Sequence, residues 1–135
     1  MDSREATIFV DQEVTLRIQS IVEGATKAVI LVTPYVKLWG HMKAALERAV
    51  KRRIDVRFLI RREPDAIGHD DLHWLMANGI KIYDLPGLHA KIYMNEMEVL
   101  ISSMNITSSS TINSMEIAIR LVNPRDRKRV QDYVA

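Results

Sequence analysis

Apolar positions along this chain switch repeatedly between a helical and an extended period. Residues 11–24 place Val14, Leu16, Ile18, Ile21 and Val22 among polar neighbours, as a helix with Asp11 as its cap and Gly24 as its stop. Residues 28–32 are an uninterrupted apolar run, the signature of a strand covered on both faces. Thr33-Pro34-Tyr35 leads out of it as a loop. Residues 38–53 predict a second helix, with Leu38, Met42, Ala45, Leu46 and Ala49 on one face and a basic last turn that suits the helix dipole. A strand follows at 56–60. A third helix over 64–78 carries Leu72, Leu75 and Met76 and stops at Asn78-Gly79, and a short strand at 80–83 ends before the Pro86-Gly87 turn. Two further strands, 90–94 and 99–102, are joined by a tight turn at 95–98. Residues 105–113 are polar and read as a loop or a short helix. A strand at 115–122 then leads to Asn123-Pro124, an N-cap and N1 pair for a last helix over 125–133. The order is β/α alternation followed by a hairpin and one more strand, which predicts an α/β fold with a mixed central sheet.

Composition narrows the class. At 135 residues, 47% hydrophobic and 27% charged, the chain fits one globular domain over 1–135, either a minimal protein or a piece excised from a longer host. There is no cysteine, hence no disulfide or thiolate metal site, and a reducing, cytoplasmic setting is expected. Neither a leading apolar region nor a run of about 18 apolar residues is present, so no signal peptide or membrane span is expected. The net charge of +2 does not itself establish a polyanionic partner. Arg48, Lys51, Arg52, Arg53, Arg57, Arg61 and Arg62 do cluster, either as a solvated helix end and strand face or as a rim facing phosphates.

The candidate chemistry is concentrated between His89 and Glu116. His89-Ala90-Lys91 is followed by Glu96, Ser102, Ser103 and Asn105, and then by Glu116. These are parts for handling a phosphate diester. An imidazole can attack phosphorus, a lysine and an amide can hold its oxygens, and a carboxylate can select the imidazole tautomer. If His89 and Lys91 lie on one strand, alternation points both to the same side of the sheet.

At these residues the chain resembles the phospholipase D superfamily, whose motif reads H-x-K, four residues, D, six residues, G-S-x-N. His89-x-Lys91 is intact, Glu96 takes the aspartate's place, the next spacer is five residues, Ser102 replaces the glycine, and Ser103-Met104-Asn105 matches S-x-N. The resemblance implies a layered α/β/α fold. It implies a phosphohistidine formed by His89, with Lys91, Asn105 and Ser103 on the phosphate oxygens and Glu116 orienting the imidazole. Glu96, like the aspartate it replaces, would be structural. Superfamily members carry two motif copies or pair two single-motif chains. The resemblance therefore implies a homodimer in which the second His89 is the general acid, with no metal or other cofactor.

Ser102, Arg57, Arg61, Tyr35 and Trp39 are candidate substrate contacts. The two aromatics follow the first core strand, where they could pack or could border the site. His69 and His73 have the i, i+4 spacing of a metal pair but lack a third ligand, and read as helix surface. The leading expectation is a phosphodiesterase cleaving nucleic acid, DNA ahead of RNA. The alternatives are a phospholipase or phosphatidyl transferase, and a non-catalytic nucleic-acid-binding module of a larger system.

Overall fold

The computed structural model of the protein describes residues 6–108 and 114–135. A seven-stranded mixed sheet runs through its centre in the order β1-β9-β7-β6-β2-β4-β5, built from Thr7–Val10 (β1), Ala28–Val32 (β2), Asp55–Arg61 (β4), Lys81–Leu85 (β5), Ile92–Asn95 (β6), Val99–Ser102 (β7) and Ile117–Leu121 (β9). Strands β2, β4 and β5 are parallel, whereas β6, β7, β9 and β1 join antiparallel to their neighbours. Val36–Lys37 (β3) and Ile106–Thr107 (β8) form a small parallel pair beside it. The expected mixed α/β architecture is what the chain adopts.

Helices cover both faces. Gln12–Gly24 (α1), Gly40–Lys51 (α2) and His69–Ala77 (α3) contribute to one cluster with Leu31, Phe58, Tyr93 and Leu100. In α1 the buried residues are Val14, Ile18, Ile21 and Val22, so a single stripe faces the sheet. Each such side chain taken fully out of water contributes about 1.5–3 kcal/mol. The last helix, Pro124–Val134 (α4), covers the opposite face through Val130 and Val134 against Val32, Ile92, Met94 and Val99. Its start is as expected: Asn123 accepts the Arg125 N–H at 2.9 Å and Pro124 occupies the first turn.

Several elements differ from expectation. Thr7–Val10 is an edge strand that the hydrophobic pattern passed over, being only four residues long with alternate positions exposed. The third helix starts at His69 instead of residue 64, after a turn through Glu63 and Ala66. Asp11 makes no side-chain cap bond to α1, because its carboxylate is used elsewhere. The strand expected over 90–94 begins only at Ile92, so His89, Ala90 and Lys91 approach the sheet as irregular chain. Of the polar stretch 105–113, residues 109–113 lie outside the described residues.

Candidate active site

Strand direction decides which motif residues meet. Val32 at the end of β2 pairs with Ile92 at the start of β6, and Ile92 pairs with Ile101 near the end of β7. Ser102 pairs with Ala118 near the start of β9, and Val10 at the end of β1 pairs with Ile117. One end of the sheet therefore collects Asp11, Tyr35, His89, Lys91, Ser102, Ser103, Asn105 and Glu116, although they span most of the chain.

Local bonds hold this end together. The Ser102 N–H donates to the Lys91 carbonyl at 3.0 Å, joining the H-x-K and S-x-N segments directly. The Ser102 hydroxyl accepts the Met104 N–H at 2.9 Å, closing a tight turn in the place where the family motif has glycine. Ser103 Oγ donates to Glu116 Oε1 at 2.5 Å and accepts the Ile117 N–H at 3.1 Å, while the Ser103 N–H donates to the Ile117 carbonyl. Asn105 Oδ1 accepts the Tyr35 N–H at 3.3 Å, which leaves its Nδ2 donors as the end available to a ligand. Below them Tyr93, fully buried, donates its hydroxyl to the Met104 carbonyl at 2.5 Å. Burial pushes the Tyr93 phenol well above its ordinary value, so it stays a donor.

His89 is exposed and makes no side-chain hydrogen bond among the described residues, and Lys91 Nζ turns back to the His89 carbonyl at 3.1 Å. The expected Glu116–His89 contact is not among the hydrogen bonds of the described residues in a single chain, where Ser103 engages that carboxylate. Asp11 was missed as a site residue. Its Oδ1 accepts the Glu116 N–H at 3.1 Å, and its own N–H donates to the Glu116 carbonyl at 2.8 Å. Nothing in the local pattern separates this use from a helix cap.

The remaining candidates fall elsewhere. Glu96 lies at the opposite end of the sheet and accepts the Thr26, Lys27 and Ala28 N–H groups at 2.9, 2.8 and 3.2 Å. Burial alone would raise its pKa, but these backbone donors together with its own N–H outweigh that and hold it below the usual carboxylate range. Arg57 lines the same cavity as Glu96 and pairs with Asp55 at 2.9 Å, so it is no contact for a ligand at His89. The cation cluster is largely spent on internal partners. Arg48 pairs with Glu23, Arg52 donates to the α1 carbonyls of Val22, Glu23 and Ala25, and Arg62 pairs with Asp84. Arg61 reaches the site's end of β4 but pairs with Glu63 at 2.6 Å. Tyr35 Oη donates to Glu63 Oε2 at 3.0 Å, and this bond raises the phenol's pKa. Trp39 packs against the core and donates its indole N–H to Gln19 at 3.0 Å. Among the described residues no His, Cys, Asp or Glu group is arranged to hold a metal, and no helix is long and apolar enough to cross a membrane.

Comparison with known proteins agrees with this fold. A family profile described as "Cardiolipin synthase, PLD-like domain" matches residues 18–135. The chain superposes on Nuc from Salmonella typhimurium, a phospholipase D family member, with a TM-score of 0.79 at 19% identity, covering 96% of this chain and 91% of that one. NucT from Helicobacter pylori gives 0.77 at 14%, covering 96% and 92%. Phosphatidylserine synthase from Haemophilus influenzae gives 0.76 at 14%, covering 97% and 36%. An uncharacterized protein of Streptococcus mutans is 29% identical over 106 residues, which are 73% of this chain and 23% of that protein. The chain thus spans about a quarter of that relative's length.

Proposed function

Because the chain belongs to the phospholipase D-like domain family, we propose that it is a phosphodiesterase cleaving nucleic acid, DNA ahead of RNA, at a site shared by two copies. The observation that carries the chemistry is the convergence of His89, Lys91, Asn105, Ser103 and Glu116 at one end of the sheet. In the proposed first step, an imidazole nitrogen of His89 forms a bond to phosphorus. The P–O bond to the leaving oxygen breaks, and that oxygen takes a proton from the second subunit's imidazole. In the second, that imidazole recovers a proton from water as the water's oxygen attacks the phosphohistidine, freeing His89. Lys91 and the Asn105 amide neutralise the non-bridging oxygens, where fixed donors act most strongly on the transition state. Ser103, whose hydroxyl hydrogen goes to Glu116, acts by holding that carboxylate. The scheme calls for no metal.

Two observations support a paired site. Among the described residues of its own chain His89 has no carboxylate partner, and one chain supplies a single motif histidine. Beside Glu116, Ile8, Val10 and Ile117 also leave about half of their surface in water, on the α4 side of the sheet but beyond the helix (55%, 47% and 55% exposed). An apolar strip flanking the site suits burial against a second copy. The nucleic-acid half of the proposal is supported by fold neighbours, because the 48–62 cations are mostly engaged internally. The chain covers more than nine-tenths of Nuc and NucT but about a third of the phosphatidylserine synthase. An archaeal chromatin protein, TrmBL2, whose structure shows DNA binding, shares the fold with a TM-score of 0.66.

The test offers the purified protein supercoiled plasmid and, separately, vesicles of fluorescent phosphatidylcholine, with chelator present and salt varied. Plasmid cleavage that weakens steeply with salt is expected, and His89→Ala should abolish turnover while retaining DNA. Lipid turnover without cleavage would make the protein a phospholipase or phosphatidyl transferase. DNA retention without turnover would make it a binding module.

A further inference from the structure

Between β1 and α1 the chain turns at Asp11, whose φ is 51° and ψ −121°. That backbone region is open to glycine and costly for a residue with a Cβ, by roughly 1–3 kcal/mol in general. A side chain kept at such a corner has to do something that glycine could not. The expected use, capping α1, is absent. Its Oδ1 instead accepts the Glu116 N–H across the sheet end at 3.1 Å. The corner itself brings the Asp11 N–H to the Glu116 carbonyl at 2.8 Å, extending the β1–β9 ladder by one residue. Glu116 is thus gripped on its backbone by Asp11 and on its carboxylate by Ser103. It is the last residue of a segment without regular structure, 114–116, so no strand fixes it from that side.

We propose that Asp11 is a positioning residue for the phosphodiester reaction, clamping the Glu116 backbone so that its carboxylate is presented at a fixed place beside the histidines. The proposal rests on the phosphodiesterase reading above. Asp11 touches neither substrate nor the reacting atoms. Its effect passes through Glu116, and the strained corner is the geometric cost of reaching the Glu116 amide from β1.

Two variants separate positioning from mere structure. Asp11→Gly keeps the corner and relieves its strain but deletes the acceptor. Asp11→Asn keeps an oxygen acceptor and tolerates positive φ. Each is measured for kcat and KM on plasmid and on bis(p-nitrophenyl) phosphate, for thermal midpoint, and for hydrogen exchange at the Glu116 amide. Asp11→Gly should melt at or above the parent temperature, exchange the Glu116 amide at least tenfold faster, and lose at least tenfold in kcat with KM little changed. Asp11→Asn should restore most of both. Full kcat in Asp11→Gly, or undiminished protection of the Glu116 amide, overturns the proposal. A parent protein inactive on both substrates would sink the phosphodiesterase reading, and the exchange rate would then decide the clamp by itself.

Discussion

Tyr93 shows how one side chain ties the core to the site. Its ring is buried against Phe58 and Leu100 in the same cluster, and its hydroxyl reaches the carbonyl of Met104, the middle residue of the S-x-N segment. Met104 is itself fully buried, with its sulfur beside the Thr15 hydroxyl at 3.6 Å. Ser103 and Asn105 on either side of it therefore project from a fixed point. Tyr93→Phe leaves the Met104 carbonyl buried without its donor, which costs about 1–3 kcal/mol. Denaturant unfolding should show that loss, and turnover should fall further than a stability change alone would cause because Ser103 and Asn105 lose their anchor. Unchanged unfolding with unchanged turnover would remove the tie. At this scale the sequence was legible where a residue's role follows from its neighbours along the chain. His89, Lys91, Ser103, Asn105 and Glu116 become candidates through their resemblance to the H-x-K and S-x-N motif. Asp11 does not, since an aspartate before an amphipathic stretch carries the same signature whether it caps a helix or binds an amide more than a hundred residues away.

Among the elements, β2 is the one whose two ends do different work. Its exit leads through Thr33, which donates to the Tyr35 carbonyl and accepts the Ile106 N–H, setting the small β3–β8 pair beside the site. Its entry is held by Glu96, whose carboxylate gathers three successive N–H groups. The acid is held below its ordinary pKa when folded, so the ionised form is favoured by the fold. Its contribution is full above the unfolded value of about 4.3 and is lost as the pH falls through the lower folded value. Glu96→Gln should therefore lower stability by about 1 kcal/mol near neutrality, and the gap between the two proteins should close on acidification below about pH 4. Chemical unfolding at several pH values reads this directly. A gap that persists in acid would mean that charge is not what Glu96 supplies. The same element level holds the clearest misreadings. The edge strand Thr7–Val10 is β-prone but short and half exposed, so its pairing partner β9, not its own pattern, makes it a strand. The stretch 89–91 alternates like a strand yet stays irregular, because β2 ends opposite Ile92 and leaves it nothing to pair with on that side.

For the whole molecule the unfinished feature is the uncovered sheet face at Ile8, Val10 and Ile117. Helix α4 spans the same side farther along, where Leu121 and Val99 pack against it, and the strip beyond is left bare. If two copies meet there, a charge placed in the strip should separate them without harming either fold. Ile8→Lys lies on an exposed position away from the site's bonds, so folding stability should change by no more than about 0.5 kcal/mol. Sedimentation should show monomers where the parent forms dimers, and cleavage should fall with dissociation and recover at high protein concentration. A monomer with full turnover would remove the shared site from the mechanism.

The sequence alone determined the order of the core elements and the mixed α/β class, because each depends on period over a few residues, and its motif resemblance named His89, Lys91, Ser103, Asn105 and Glu116 as the candidate phosphate-handling groups. Tertiary structure alone decided that Glu96 stands at the far end of the sheet with Arg57 lining the same cavity, that most of the 48–62 cations answer carboxylates and helix carbonyls of this chain, and that Asp11 grips Glu116. Those outcomes depend on which strand end faces which. Strand direction is set by packing of the whole sheet, and no local pattern along the chain encodes it.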